Sequence, residues 1–367
     1  MMNKNLNYDC CITNLANSFL KYYGLKTYHN SITYVDNFLK NNQPKNIIMM
    51  VFDGLGSSIL DKHLKENSFL KTHKFMDYSS VFPPTTVAAT TAYLSGKNPI
   101  ENGYLGWSIF LPVEDLIIDV FPLTNSINKE KLDFDYVKKY FSYTEIGEII
   151  EKNNKASYHT FYPSFKENGY KNLEEIKDKL IELCKQPKDK FIYLYWDNPD
   201  YLMHSEGTNS KKVKEEILKI DTFVKYIYDN SQNTTIFVSA DHGLVDTVPI
   251  CLYTYYDLWS CLAKYPSIEG RAANFFIKKG KKTLFKKLFN QYFKGKFILL
   301  SRQDVLKNNL FGKGNPHYLV EKMLGDFLAV AISHYHFNFN INSFPFKATH
   351  AGLTKEELTI PLIICNN

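Results

Sequence analysis

Residues 46–56 read NIIMMVFDGLG. A continuous apolar run, Asn46 to Phe52, stops at Asp53 and passes into a glycine loop, Gly54-Leu55-Gly56. This is the pattern of a strand buried on both faces, as in a parallel sheet, followed by a helix from about Ser57. The same grammar recurs twice. Phe191 to Trp196 (FIYLYW) ends in Asp197-Asn198-Pro199-Asp200, and Thr234 to Ala240 ends in Asp241-His242-Gly243. Helical periodicity separates these runs, over Thr144–Lys152, Leu173–Lys185 with Asn172 as a cap, and Asn209–Tyr228. A further strand is expected at Ala156–Phe161 and a final one at Leu358–Ile364. Alternation of this kind predicts an α/β fold, a mainly parallel sheet sandwiched by helices.

Working outward, residues 1–42 hold helical spacing at Ile12, Leu15, Phe19 and Tyr22, with a second short helix over Ser31–Leu39, and are expected to pack outside the core. The core is expected over 43–250 and 346–367. Between them, 251–345 loses the alternation, gains aromatic clusters and carries a lysine-rich stretch, and is expected to be an inserted cap subdomain. That stretch, Lys278 to Lys296, has Leu284, Phe285, Leu288 and Phe289 at helical spacing. It suits the solvated face of a cap helix better than a nucleic-acid or membrane surface.

At 367 residues the chain can bury a large core. Its formal charge of +6 permits an anionic substrate without calling for nucleic acid. Six scattered cysteines, Cys10, Cys11, Cys184, Cys251, Cys261 and Cys365, show no paired-ligand spacing. Reduced thiols in a cytoplasmic protein are expected. The N-terminus lacks an apolar signal region and no run approaches a membrane span.

Residues 81–96, VFPPTTVAATTAYLSG, carry the chemistry. Pro83 and Pro84 hold the chain extended and bar helix before the threonines. A small-residue helix then begins at about Thr86, where first-turn N–H groups lack intrahelical partners and favour an anion such as phosphate. Thr86 alone would pass for an N-cap. Three strand ends with aspartate, Asp53, Asp200 and Asp241, change that, because ligands of open α/β sheets sit beyond the carboxyl ends of the strands. His204 and His242 accompany two of them, and His350 lies in Thr349-His350-Ala351-Gly352 before the last strand. Asp241 and His242 converge only where the strand breaks, a break expected of Gly243. Three Asp and three His suffice for two cations, and the nitrogen–oxygen mix suits Zn²⁺ or Mn²⁺ better than Ca²⁺.

The segments VFDGLG (51–56), FPPTTVAATTAYLSG (82–96), WDNPDYLMH (196–204), SADHGLVD (239–246) and THAGLTKEELTIPLII (349–364) together resemble the alkaline phosphatase superfamily, within it the nucleotide pyrophosphatase/phosphodiesterase branch. The resemblance implies a two-metal phosphohydrolase acting on a phosphate ester or nucleotide-like molecule. It implies one ion on Asp53, Asp241, His242 and Thr86, and another on Asp200, His204 and His350. Thr86, rather than Thr85, is the implied nucleophile, passing through a phosphothreonine intermediate. The ions are expected to be Zn²⁺, with Mn²⁺ as the alternative. One departure stands out. Where the branch places an asparagine that donates to a phosphoryl oxygen, this chain has Trp107, with Asn102 as a nearby substitute donor. A phosphomonoesterase, phosphonate hydrolase or phosphomutase shares the same ligand types, and a non-catalytic nucleotide-binding relative is the rival of another class.

Overall fold

A computed structural model describes residues 5–340 and 346–367. Residues 1–4 of the expected N-terminal segment and 341–345 at the end of the expected insertion lie outside them. The central sheet has six strands: β1 (Asn46–Phe52), β2 (Lys74–Ser79), β3 (Ser157–Phe161), β4 (Lys190–Trp196), β5 (Thr234–Ser239) and β6 (Thr359–Asn366). They lie side by side as β2-β6-β5-β1-β4-β3. β1 pairs parallel with both β4 and β5, Asn46 standing opposite Lys190 and Thr234. β3 is parallel to β4, and β6 runs antiparallel to β2 and β5.

Every residue of β1, β4 and β5 is buried, which is why their sequences read as unbroken apolar runs rather than alternating ones. Flanking helices supply the cover. Phe19 of the Ile12–Tyr22 helix sets its ring 5.4 Å from Phe191 and 5.1 Å from Phe237. The Leu173–Lys185 helix starts at Asn172, whose side chain accepts the Glu175 N–H at 3.0 Å. All ten residues of the Thr86–Ser95 helix are buried, and Gly96 ends it in the left-handed region at φ 66°. Small side chains let this helix sit inside the molecule. Asn17 fixes its end by donating to Gly96 O at 2.8 Å.

A second, seven-stranded sheet draws strands from both sides of residue 251: Ser108–Leu111, Leu116–Asp119 and Thr124–Asn125 join Ser267–Ile268, Ala272–Phe275, Phe297–Ser301 and Phe327–Ala331. The basic stretch forms the Lys282–Phe293 helix. Its Phe285, Leu288, Phe289 and Phe293 pack with Phe275 and Phe337, and its lysines face solvent. Among the described residues no helix is long and apolar enough to cross a membrane.

One buried ion pair ties the two sheets together. Arg271, just ahead of the Ala272–Phe275 strand, donates to both carboxylate oxygens of Glu357 at 2.6 and 2.7 Å, and to the carbonyls of Ser333 and Tyr335. Both side chains are wholly buried. Glu357 in turn accepts the N–H groups of Gly352 and Thr354 and the Thr354 hydroxyl. Removing one partner strands a buried charge. Arg271→Met is therefore expected to cost about 3–5 kcal/mol of unfolding free energy in urea, and adding Glu357→Gln should recover part of it. A single variant within 1 kcal/mol of wild type would contradict the coupling.

Candidate active site

The site forms where β1, β4 and β5 end. Asp53 follows β1 directly, and its N–H donates to Trp196 O at 2.8 Å while Asp200 N–H donates to Asp53 O at 3.0 Å. Asp200 is not at a strand end as the sequence suggests. It lies four residues past β4 as the first residue of the Asp200–Glu206 helix, so His204 stands one turn further along the same face. His204 Nε2 is 3.0 Å from Asp200 Oδ2. Gly54, at φ 73°, turns its N–H onto Asp241 Oδ1 at 3.1 Å, and a Cβ there would meet Asp200 Cβ at 2.9 Å. Gly243 has a different reason from the one its sequence suggests. It is not left-handed, but a Cβ would lie 2.0 Å from Glu356 O, so glycine serves close backbone approach rather than a break.

Thr86 opens its helix, and Thr85, the N-cap residue, makes no side-chain cap bond. The Thr86 hydroxyl lies 3.2 Å from Asp53 Oδ2 and 3.3 Å from His242 Nε2. His242 Nε2 is also 3.3 Å from Asp53 Oδ1 and 3.4 Å from Asp241 Oδ2. His350 stacks on His242 with ring centroids 3.8 Å apart, and its Nε2 is 3.9 Å from Asp200 Oδ1. Among the described residues, two groups have the spacing of a cation site, Asp53–Asp241–His242 and Asp200–His242–His350. His242 belongs to both, with His204 on the outer side of Asp200.

The three imidazoles share a device. Each points Nδ1 at a backbone carbonyl: His204 to Ala348 at 2.8 Å, His242 to Gly243 at 3.2 Å, His350 to Pro84 at 3.1 Å. A carbonyl only accepts, so Nδ1 carries a proton and Nε2 is the atom turned toward the carboxylates, the orientation of metal-ligating histidines. Asp53 Oδ1, Asp200 Oδ1 and Asp241 Oδ2 are buried without a hydrogen-bond partner. Orphaned buried carboxylate oxygens are costly, and divalent cations would satisfy them. The residues therefore fit the metals that the sequence implies.

The electrostatics agree. Burial, then the charges of Asp241 and Asp200, push the Asp53 carboxyl well above the usual range. Burial raises Asp241 against the opposing pull of His242. Asp200 goes the other way: burial raises it, but His204, His350 and His242 more than reverse this. His204 is lifted to about 8, the Asp200 charge overcoming burial.

Asn102 does not join the cluster. Its amide spans the far end of the Thr86–Ser95 helix, donating to Lys97 O at 3.3 Å and accepting Tyr104 N–H at 2.9 Å. Trp107 is 39% exposed, its ring 6.0 Å from Phe121 and its backbone N–H donating to Glu269. Trp107 lines one cleft and its neighbour Phe121 another. The larger, about 620 Å³, reaches from Tyr195 past Tyr162, Phe165 and Tyr143 to Phe121. The aromatic run 253–259 packs elsewhere, with Tyr255 against Tyr292 and Phe293. Two site residues carry no sequence signal of their own. Tyr195, inside a buried strand, donates its hydroxyl to Asp53 Oδ2, and Glu269 lies in the irregular region.

The family model for type I phosphodiesterase / nucleotide pyrophosphatase matches residues 47–268, a span that holds Asp53, Thr86, Asp200, His204, Asp241 and His242. The chain belongs to this family. It is accordingly a metal-dependent phosphoric ester hydrolase of the alkaline phosphatase superfamily. No curated protein matches the sequence. Among solved structures, murine ectonucleotide pyrophosphatase/phosphodiesterase 5 superposes with a TM-score of 0.66 at 17% identity, covering 86% of this chain and 87% of that one. An inactive threonine-to-alanine form of the same protein, in complex with AMP, gives 0.64 at 17% over the same shares. Phosphonoacetate hydrolase from Sinorhizobium meliloti 1021, in complex with phosphonoformate, gives 0.66 at 14%, covering 88% and 90%. These likenesses confirm the fold of this phosphodiesterase-family chain.

Crowded carboxylates predict a stability crossover. In metal-free protein at neutral pH, Asp53→Asn removes one like charge yet keeps an acceptor for Tyr195, so it should raise unfolding free energy by about 1 kcal/mol or more. With Zn²⁺ or Mn²⁺ at a hundredfold excess over Kd, wild type should gain about 2.7 kcal/mol per site and overtake the variant. Denaturant titrations with and without the ion read this. A variant less stable than wild type in both would contradict it.

Proposed function

We propose that the chain is a two-metal phosphodiesterase or nucleotide pyrophosphatase with Thr86 as its nucleophile. The observation that carries this is the Thr86 hydroxyl, at the first turn of a buried helix, lying between Asp53 and His242 beside three carboxylate oxygens that lack partners. Asp53, Asp241 and His242 would hold one ion with Thr86. Asp200, His204 and His350 would hold the other. Bound there, divalent ions supply Lewis-acid neutralisation of phosphoryl charge and lower the pKa of coordinated hydroxyls. The imidazole and carboxylate mix favours Zn²⁺, with Mn²⁺ second.

The chain's own residues contribute the rest. Thr86 Oγ1 attacks phosphorus as the bond to the departing alcohol breaks, its proton leaving with that alcohol. Water then cleaves the resulting phosphothreonine from the opposite side, freeing Thr86 and the remaining phosphate ester. First-turn N–H groups of the Thr86–Ser95 helix face the phosphoryl oxygens as fixed donors. Asp53, held by Tyr195, accepts from the Thr86 hydroxyl and orients it. The aromatic cleft beyond Tyr195 suits one ring-bearing substituent of a diester, and AMP, which carries such a ring on a monoester, is bound by the inactive form of the murine relative. Trp107, which lines the smaller cleft, is the proposed wall against which the substrate packs. Six free thiols suit a reducing compartment, and a cytoplasmic location is part of this reading.

Thr86→Ala, loaded with Zn²⁺ or Mn²⁺, should lose kcat/KM on bis(p-nitrophenyl) phosphate by roughly 10³-fold or more, with ion content unchanged by elemental analysis. Thr86→Ser should keep a measurable part of it. Near-wild-type turnover by the alanine variant would end the covalent mechanism.

A further inference from the structure

Glu269 has no part in the chemistry above, yet it stands beside it. It lies between the short strand Ser267–Ile268 and the strand Ala272–Phe275. Its Oε1 accepts the Thr85 hydroxyl at 2.6 Å and the Trp107 backbone N–H at 3.0 Å. Thr85 directly precedes the proposed nucleophile, and its hydroxyl goes to Glu269 instead of capping the helix. The backbone is strained next to this carboxylate. Ile268, β-branched and buried, sits at φ 76°, an outlier that persists only when its surroundings hold it there.

Glu269 and Trp107 line the smaller cleft, about 220 Å³, together with Tyr265, Phe346 and Thr349. Phe346 stacks on His204 with centroids 4.2 Å apart, and Thr349 precedes His350, so two residues of the cleft wall adjoin the Asp200–His204–His350 group. Two basic residues of the region are engaged elsewhere, Lys129 with Asp119 at 2.8 Å and Arg271 with Glu357 at 2.6 Å. A carboxylate thus stands on the substrate side of the site with His204 as its nearby cationic influence and Asp119 opposing it.

We propose that Glu269 is a charge filter, which disfavours dianionic monoesters and phosphonates and admits monoanionic diesters. The proposal rests on the phosphohydrolase function argued above. Around phosphorus, a monoester presents three charged or partly charged oxygens besides its leaving group. A diester replaces one of them with an uncharged ester oxygen. Where that third oxygen meets a half-buried carboxylate, like charges repel with little solvent between them. The diester meets no such penalty. Burial pushes the Glu269 carboxyl up to about 7 against the pull of its Thr85 and Trp107 donors, so the filter acts fully only above neutral pH.

Glu269→Gln keeps an acceptor for both donors and removes the charge. Metal-loaded enzyme is assayed at about pH 8.5, above this titration, on bis(p-nitrophenyl) phosphate and p-nitrophenyl phosphate. In the variant the diester-to-monoester ratio of kcat/KM should fall at least about tenfold, with monoester turnover rising in absolute terms. Inhibition by inorganic phosphate, a dianion there, should tighten by a similar factor. Glu269→Asp, which keeps the charge, should hold the ratio near the wild-type value. A gain on the monoester is not something a purely structural role produces. If wild type hydrolyses the diester but the ratio and phosphate inhibition do not move in Glu269→Gln, the filter falls alone. If metal-loaded wild type hydrolyses neither ester, the proposed function falls and takes the filter with it.

Discussion

Three carboxylates meet in one buried patch, and the rest of this molecule is arranged around that fact. Asp53, Asp200 and Asp241 come from distant parts of the chain, and folding brings them together against their own repulsion. The parallel pairing of β1 with β4 and β5 sets the three loop origins side by side. Backbone hydrogen bonds between Asp53 and Trp196, and between Asp200 and Asp53, then lock two of the loops. What partly offsets the repulsion is local. Gly54 N–H and the Tyr195 hydroxyl each take one carboxylate oxygen, and His204, lifted to about 8, sets its ring against Asp200. One oxygen on each aspartate is still unpartnered. A fold that tolerates this is one built to be completed by cations.

The same constraint explains why the second sheet is fastened so firmly to the first. His350 arrives on a loop from the far end of the chain, and that loop is strained, with Ala351 at φ 86°. Glu357 holds it by accepting from Gly352 and Thr354, while Gly243 N–H donates to the Glu357 carbonyl at 2.9 Å. Arg271 anchors Glu357 from the second sheet. One buried ion pair therefore positions a loop beside His242 and the loop that carries His350. The glycine at 243 belongs to this arrangement, since any side chain there would strike Glu356 O.

Much of the core was legible because each piece is local. NIIMMVFDG, FIYLYW and the run into Asp241 announce buried strands, and the proline pair before Thr86 announces a helix start. The candidate ligands sit within a few residues of those signals. Long-range consequences were not legible. Asp200 reads as a strand end because the apolar run of β4 dominates the pattern, although Asn198-Pro199 is a turn signal that separates it from the strand. Asn102 reads as a donor near the site, yet helix geometry carries it to the opposite end of the Thr86–Ser95 helix. Glu269 and Arg271 lie where alternation fades, and long-range contacts, the pairing of Ser108 with Ile268 and the bond between Arg271 and Glu357, set them in place. Tyr195 is one aromatic among many in a chain rich in them.

The central claim is that two cations occupy this patch and that one of them touches the Thr86 hydroxyl. Anomalous diffraction from crystals grown with Zn²⁺ measures this directly. The account predicts two peaks per chain, one within bonding distance of Asp53, Asp241, His242 and Thr86, the other of Asp200, His204 and His350. Peaks elsewhere on the surface, or a patch that stays empty at saturating Zn²⁺, would contradict it.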